Sequence, residues 1–74
     1  KEAIKKYQEI IRKFPNSVFA PKAQYAIAWI YENELASKDR ALQAYETLKK
    51  NFPKTPFAMV AEKKLRAVQA AEKA

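Results

Sequence analysis

The residues best placed to do chemistry in this sequence are two aromatic side chains flanked by charges. Four side chains of one predicted helix recur at spacings of three and four: Lys22, Tyr25, Trp29 and Glu32. That spacing places them on one narrow arc of the helix. Because Trp and Tyr supply much of the binding energy in protein interfaces, the arc predicts a peptide-binding surface. Lys63 of a later predicted helix would add a positive charge to it.

A competing interpretation is that the two aromatic side chains are covered. The arc lies opposite Ala23 and Ile27, so Tyr25 and Trp29 are expected to face away from the rest of their own helical hairpin. A fourth helix, a helix N-terminal to this sequence or a second copy of the chain would each bury them, and large aromatic side chains are usually buried. The sequence leaves both interpretations open.

The composition removes most catalytic chemistry. The 74 residues include no Cys, no His and no Gly, which excludes disulfides, the commonest metal ligands and Gly-rich phosphate loops. Asp39 and the Glu residues are spread over predicted polar faces and caps, and no Ser or Thr has a His partner. A chain this small and regular is not expected to enclose paired carboxylates. We therefore expect no enzyme, no cofactor and no metal.

Positive charge is the second notable property, with 15 basic and 8 acidic residues giving +7. The basic side chains fall in two groups: Lys1, Lys5, Lys6, Arg12 and Lys13, then Lys49, Lys50, Lys54, Lys63, Lys64 and Arg66. Acidic polymers, an acidic protein or an anionic membrane surface bind faces of this kind. Because Glu residues are interspersed and no aromatic stacking platform accompanies the lysines, we interpret these faces as solvated and do not expect nucleic acid as a partner.

The sequence repeats itself at a distance of 38 residues. After that shift small, aromatic and helix-ending residues coincide: Ala3 with Ala41, Tyr7 with Tyr45, Phe14-Pro15 with Phe52-Pro53, Ser17 with Thr55, Phe19-Ala20 with Phe57-Ala58, Ala23 with Ala61 and Ile27 with Leu65. These are packing positions and helix ends, so the match indicates a structural repeat. In each half, the Phe before the proline is expected to pack on the Phe that follows the link.

Each repeat is predicted to contain two helices, and the fold is predicted to be all-α. Apolar residues at 3-and-4 spacing predict helices over about 1–14, 19–34, 38–52 and 56–74. Pro15 and Pro53 cannot continue a helix. Pro56 suits a first helical position behind Thr55 as N-cap, and Ser37 is the predicted N-cap of the third helix. No segment shows the alternation of a strand.

The pattern resembles the tetratricopeptide repeat family, whose unit is a helical hairpin of about 34 residues with ordered small and large positions and a late proline. The matching residues are Ile27, Ala28 and Tyr31 on the first helix of the hairpin, and Ala41, Tyr45, Leu48 and Pro53 on the second. Gln24 stands where the family often has Trp. The resemblance implies an α-solenoid of four antiparallel helices. It also implies peptide binding on the inner face of the first helices of each hairpin, which here are helices two and four.

The 38-residue period is longer than the usual unit of about 34 residues, and this difference suggests a cellular location. A 38-residue period with a Phe-Pro-x-Ser/Thr link is similar to that of bacterial envelope members of the family, including outer-membrane assembly lipoproteins and the Tol-Pal-associated periplasmic protein. The resemblance therefore suggests the periplasm or the periplasmic face of the outer membrane. Membrane contact is expected only through a parent protein.

Aligned with the tetratricopeptide unit in this way, the chain divides into three parts. They are 1–15 as the second helix of a preceding unit, 19–53 as one complete hairpin unit and 55–74 as a C-terminal capping helix. Arg66 stands where the complete unit has Ala28, and a guanidinium in place of a small residue would block the approach of another helix. Gln69 likewise replaces Tyr31. Because the chain begins at Lys1 rather than Met, we expect a segment of a longer protein whose missing structure lies on the N-terminal side.

These observations predict a scaffold for protein–protein interaction. The partner, a protein or peptide, would bind the inner face of helices two and four through Lys22, Tyr25, Trp29, Glu32 and Lys63. The alternative is self-association as a homodimer through the unpaired first helix, whose apolar arc lacks a hairpin mate. A third interpretation is binding of acidic polymers by the basic surface.

Overall fold

The structure, a computed structural model, describes the backbone of residues 2–73 and the side chains of residues 2–68. Four helices follow one another: α1 Glu2–Lys13, α2 Phe19–Asn33, α3 Lys38–Asn51 and α4 Pro56–Lys73. The described backbone contains no strand, and the predicted all-α fold is confirmed. Expectations that rest on Lys1 or on the side chain of Gln69 lie outside the described residues.

The links after α1 and after α3 are built by the same hydrogen bonds. The Ser17 hydroxyl donates to the carbonyl of Phe14 at 3.0 Å. The Thr55 hydroxyl donates to the carbonyl of Phe52 at 2.8 Å. The backbone amides of Ser17 and Thr55 donate to the same two carbonyls, at 3.1 and 3.2 Å. Each chain reversal is therefore set locally by a hydroxyl residue two positions after a proline, and the 38-residue repeat is structural.

The helix starts follow the predicted capping pattern in part. Pro56 opens α4, and the Thr55 hydroxyl oxygen accepts from the amide of Ala58 at 3.3 Å, so the predicted N-cap is confirmed. Ser17 accepts from the amide of Phe19 at 3.2 Å at the start of α2. Ser37 stands at the N-cap position of α3, as predicted, but its side chain makes no capping hydrogen bond.

The short link between α2 and α3 contains a left-handed residue. Ala36 has a φ of 51°, a conformation that costs an L-residue with a Cβ atom about 1 kcal/mol. Immediately after it, the Ser37 amide donates to the carbonyl of Tyr31 at 2.8 Å. This hydrogen bond returns the chain over the end of α2 and fixes where α3 begins.

The core lies where α3 packs between α2 and α4, while α1 packs against α2. Its buried members are Ile4, Ile27, Ala28, Ile30, Ala41, Ala44, Tyr45, Leu48, Ala61 and Leu65. The predicted packing positions Ala28, Ala41, Tyr45 and Leu48 are all among them. Ala28 and Leu48 have no solvent exposure, so α2 and α3 approach closely over a small side chain.

The two links differ in burial in spite of their common hydrogen bonds. Phe52 and Phe57 of the second link are half-buried against the core. Phe14 and Phe19 of the first link are 59% and 63% exposed. The predicted closing of each link by its pair of Phe side chains is therefore not achieved at the first link, because no helix lies over that end of α1 in the described chain.

Candidate peptide-binding surface

The candidate surface is formed by α2 and α4, which two contacts hold side by side. The ring of Tyr25 lies 5.8 Å, centroid to centroid, from the ring of Phe57, at a tilt of 39°. About two helical turns further along α2, the carboxylate of Glu32 pairs with Nζ of Lys64 at 3.2 Å. Both contacts join positions 32 apart in the sequence, so α2 and α4 run parallel in one register.

Glu32 connects three helices. Its Oε1 accepts a hydrogen bond from the Tyr45 hydroxyl of α3 at 2.8 Å as well as one from Lys64 of α4. Burial of the Tyr45 phenol, followed by the hydrogen bond to Glu32 and its negative charge, raises the pKa of Tyr45 well above its ordinary value. The ion pair is partly exposed, so we assign it at most about 1 kcal/mol. Its main effect is to fix the relative position of α2, α3 and α4.

Tyr25 packs within the hairpin, contrary to the expectation from its helical arc. Its ring centroid lies 6.2 Å from that of Tyr45 on α3, in addition to the contact with Phe57 on α4. Helix α4 lies beside α2 and covers one side of the ring, which is the competing interpretation in which a fourth helix buries the aromatic side chains. For Tyr25 that interpretation applies, whereas Trp29 stays exposed. Tyr25 is half-buried as a result.

Trp29 lies between these two contacts along α2 and is 43% exposed. Lys22 and Lys63 are exposed, and Val60 of α4 is 37% exposed. The five predicted site residues thus divide into two groups. Tyr25 and Glu32 join neighbouring helices, whereas Lys22, Trp29 and Lys63 face solvent.

Sequence reasoning missed two polar contacts. The Gln24 amide, 8% exposed, donates to the carbonyl of Ala44 at 3.0 Å and ties the middle of α2 to α3. Its place beside Ala23 in the apolar seam was the available signal that a partner was needed. The second missed contact is the ion pair of Lys64 with Glu32. The sequence gave no signal for it, because the residue 38 positions before Lys64 is the uncharged Ala26.

The outer face of α4 carries a network of charges. Glu62 pairs with Arg66 at 3.2 Å and with Lys49 of α3 at 3.8 Å. The Arg66 side chain is 77% exposed, whereas the equivalent Ala28 is fully covered by α3. That α4 closes the stack of hairpins stays a prediction.

Two features are absent from the described part of the chain, a cluster of metal-binding side chains and a membrane-spanning helix. Within it no group of three or more acidic, His or Cys side chains comes together as a metal site. None of its helices has both the length and the apolar character of a membrane span.

Comparison with known proteins identifies one family. A family model for the tetratricopeptide repeat matches residues 1–17 and 22–55, more than half of the chain. The matched segments comprise α1 with its link, and the hairpin of α2 and α3. Searches among curated proteins and among solved structures gave no match.

Proposed function

This chain belongs to the tetratricopeptide repeat family, whose non-enzymatic repeats mediate protein–protein interactions, and from that premise we propose that it is a scaffold for an acidic peptide or partner helix. The partner binds the face formed by α2 and α4. Of the five residues that the sequence singles out, Lys22, Trp29 and Lys63 contact the partner, whereas Tyr25 and Glu32 hold α2 and α4 in position beneath it.

The exposure of Trp29 is the observation that carries this proposal. A Trp that is 43% exposed leaves much apolar surface in water, although its helix has a well-packed core on the other side. Burial of such a ring in an interface contributes about 2 kcal/mol or more. Val60 of α4, 37% exposed, stands level with Ala28 in the register that pairs positions 32 apart, and we call Trp29 and Val60 the apolar strip of this face. The contacts of Tyr25 with Phe57 and of Glu32 with Lys64 hold α4 in place, which keeps this strip preorganised.

The charges favour an acidic partner. Lys22 and Lys63 are exposed, and neither forms an ion pair with another side chain of the described chain. The carboxylate of Glu32 is already engaged by Tyr45 and Lys64. The two helices that carry the exposed Trp29 and Val60 thus also carry exposed ammonium groups, which attract carboxylates of a peptide.

Panning of a random peptide library against the chain tests the proposal, followed by affinity measurements on the selected peptides. We expect enrichment of acidic and apolar residues. Trp29→Ala should weaken the selected peptide about 30-fold, corresponding to about 2 kcal/mol at a central aromatic position. Charge reversal at Lys22 or Lys63 should weaken it less and abolish the acidic preference.

Met59→Ala is the matched control, because Met59 is 68% exposed on α4 but is not one of the proposed binding residues. It should leave peptide affinity unchanged. Circular dichroism of Trp29→Ala must show unchanged helicity. A variant that loses its helicity would identify Trp29 as a core residue, and equal losses for Trp29→Ala and Met59→Ala would contradict the proposed surface.

Self-association as a homodimer through α1 is the second candidate function, favoured by the exposed Phe14 directly after α1 and the exposed Phe19 at the start of α2. Sedimentation velocity over a range of concentrations distinguishes a dimer from a monomer. For binding of acidic polymers, affinity for heparin at low salt that falls steeply with added salt is the expected result. The bacterial envelope location suggested by the period of the repeat stays a prediction.

A further inference from the structure

A groove lies on the side of α2 opposite Trp29. Helices α1 and α3 each pack against α2, and within the described chain they do not contact each other. The gap between them, which we call the α1–α3 groove, has a volume of about 380 Å³ and a floor that includes Ile27 and Tyr31 of α2. Each of these two residues is two positions from Trp29, which is about 200° around the helix. All three walls of the groove are described helices.

Amide side chains line the α1–α3 groove from each of its three helices: Gln8 of α1, Gln24 of α2 and Gln43 of α3. Gln8 and Gln43 are exposed. Gln24 is only 8% exposed, and its Nε2 donates to the carbonyl of Ala44 at 3.0 Å. The Oε1 atom of Gln24 has no donor in the described chain, yet it keeps some contact with solvent. An amide oxygen in this position favours an occupant that donates an N–H group.

The amide lining is specific to the first repeat. The residues 38 positions after Gln8 and Gln24 are Glu46 and Glu62, and both line the corresponding surface of α3 and α4. There the carboxylate of Glu62 forms ion pairs with two basic side chains. The repeat therefore folds with carboxylates at these positions, and the neutral amides give the α1–α3 groove a chemistry of its own.

Arg40 adds a positive charge to the wall formed by α3. Its Cζ lies 6.0 Å from the centroid of the Tyr31 ring, so the guanidinium covers one face of that ring. Arg40 is exposed and forms no ion pair with another side chain of the described residues. A guanidinium in this state attracts a carboxylate. Because the cation occupies the aromatic ring of the groove, stacking of a nucleobase on Tyr31 is disfavoured.

From these observations we propose that the α1–α3 groove binds a short extended segment of another polypeptide that carries an Asp or Glu side chain. An extended backbone presents free N–H and C=O groups, and Gln side chains match them with both donors and an acceptor. A helix uses the same backbone groups internally and would leave the three amides unpaired.

The dimensions and charges of the groove define how the segment lies. The part of α3 that lines it runs from Arg40 to Thr47, about 10 Å along the helix, which is the length of about three extended residues. The backbone N–H of the central residue donates to Oε1 of Gln24, and its carboxylate accepts from Arg40. This site lies across α2 from the surface that carries Trp29, so it does not rest on the proposed function.

A blocked pentapeptide tests the proposal, acetylated at its N-terminus and amidated at its C-terminus, with Glu at its centre and two Ala residues on each side. It is titrated at millimolar concentration into ¹⁵N-labelled protein. We expect saturable shift changes at the side-chain amides of Gln8, Gln24 and Gln43, with none at the indole N–H of Trp29. Gln in place of the central Glu should weaken binding about two- to fivefold. Methylation of the backbone nitrogen of the central residue should weaken it about two- to tenfold, because the donor to Gln24 is lost.

Variants of the protein test which groups of the α3 wall act. Gln43→Glu should weaken the Glu peptide about two- to fivefold through charge repulsion. Asn51→Asp is the matched control, because it adds the same charge to α3 outside the groove, and both positions are exposed. Arg40→Gln should bind the Glu and Gln peptides equally. Trp29→Ala should leave all these affinities unchanged, so failure here and failure of the proposed function are distinguishable.

Four results would overturn the inference. The first is absence of shift changes at the three Gln side chains, and the second is equal affinity for the methylated and unmethylated peptides. Shift changes confined to Trp29 and Val60 would assign the peptide to the face of α2 and α4. Stronger binding of a single-stranded DNA of six thymidines at the same Gln side chains would assign the groove to nucleic acid. Equal losses for Gln43→Glu and Asn51→Asp would reduce the binding to general attraction by the positive charge of the chain.

Discussion

Helices α1 and α3 carry the same repeated residues, yet α3 contributes four buried residues to the core and the described part of α1 contributes Ile4. Tyr45 and Leu48 on α3 are buried by α2 on one side and by α4 on the other. Their equivalents Tyr7 and Ile10 lie on α1, which among the described helices packs against α2, and they are only partly buried. The repeat therefore sets helix length and link geometry, while burial is determined by which neighbouring helices are present. This is the behaviour of a stack in which each unit is stabilised by its neighbours.

The largest expected effect comes from exchanging the residues at the equivalent positions 28 and 66. Ala28→Arg would place a guanidinium where no solvent reaches, between α2 and α3. Burial of an unpaired charge costs several kcal/mol, so we expect loss of folded structure by circular dichroism. Arg66→Ala, at a side chain 77% exposed, should change the free energy of unfolding by less than about 0.5 kcal/mol. Similar effects at both positions would contradict the different environments of α2 and α4.

Truncation of the two equivalent tyrosines gives the next largest contrast. Tyr45→Ala removes a ring that is 2% exposed and should destabilise the chain by about 3–5 kcal/mol. Tyr7→Ala should cost less, about 1 kcal/mol, because that ring is only partly buried. Urea titrations followed by circular dichroism measure both.

The two links should respond alike, in contrast to the helices they join. Ser17→Ala and Thr55→Ala each remove one hydroxyl that donates to a Phe carbonyl and accepts from an amide at a helix start. We expect a loss of about 1 kcal/mol for each variant in chemical denaturation. A much smaller loss for Ser17→Ala would mean that the first link depends on a covering helix for its local structure.

The smallest expected effect is an increase in stability at the link between α2 and α3, which occurs once in this chain. Ala36 holds a left-handed φ of 51°, which glycine adopts without a Cβ clash. Ala36→Gly should therefore raise the unfolding free energy by a few tenths to about 1 kcal/mol, measured by urea titration. Ala26→Gly, within α2, is the matched control and should destabilise by about 1 kcal/mol. Destabilisation by both would show that the φ of Ala36 costs little.

The sequence was sufficient for the helices and insufficient for the contacts between the first helices of each hairpin. Pro15, Pro53 and the Thr55-Pro56 pair fixed helix ends because their effects are local. The packing of Tyr25 on Phe57 and the pairing of Glu32 with Lys64 depend on the register between α2 and α4. That register is set by the way α2 and α4 each pack against α3. The spacing of residues within one helix does not determine it. The helical spacing placed Tyr25 and Trp29 together on one arc of α2. It could not show that Tyr25 faces α4 while Trp29 faces solvent, because a spacing within one helix carries no information about the neighbouring helix.

The links after α1 and after α3 have the same hydrogen bonds from a hydroxyl group, that of Ser17 or Thr55, to the carbonyl of a Phe. Either link can therefore connect a second helix to the first helix that follows it. A block of residues 16–53 copied in tandem after Pro53 would meet at each seam the same proline and the same hydroxyl partner that the native chain uses there. We therefore expect that the molecule can be lengthened by whole modules, each of which adds one more pair of helices through the same kind of link.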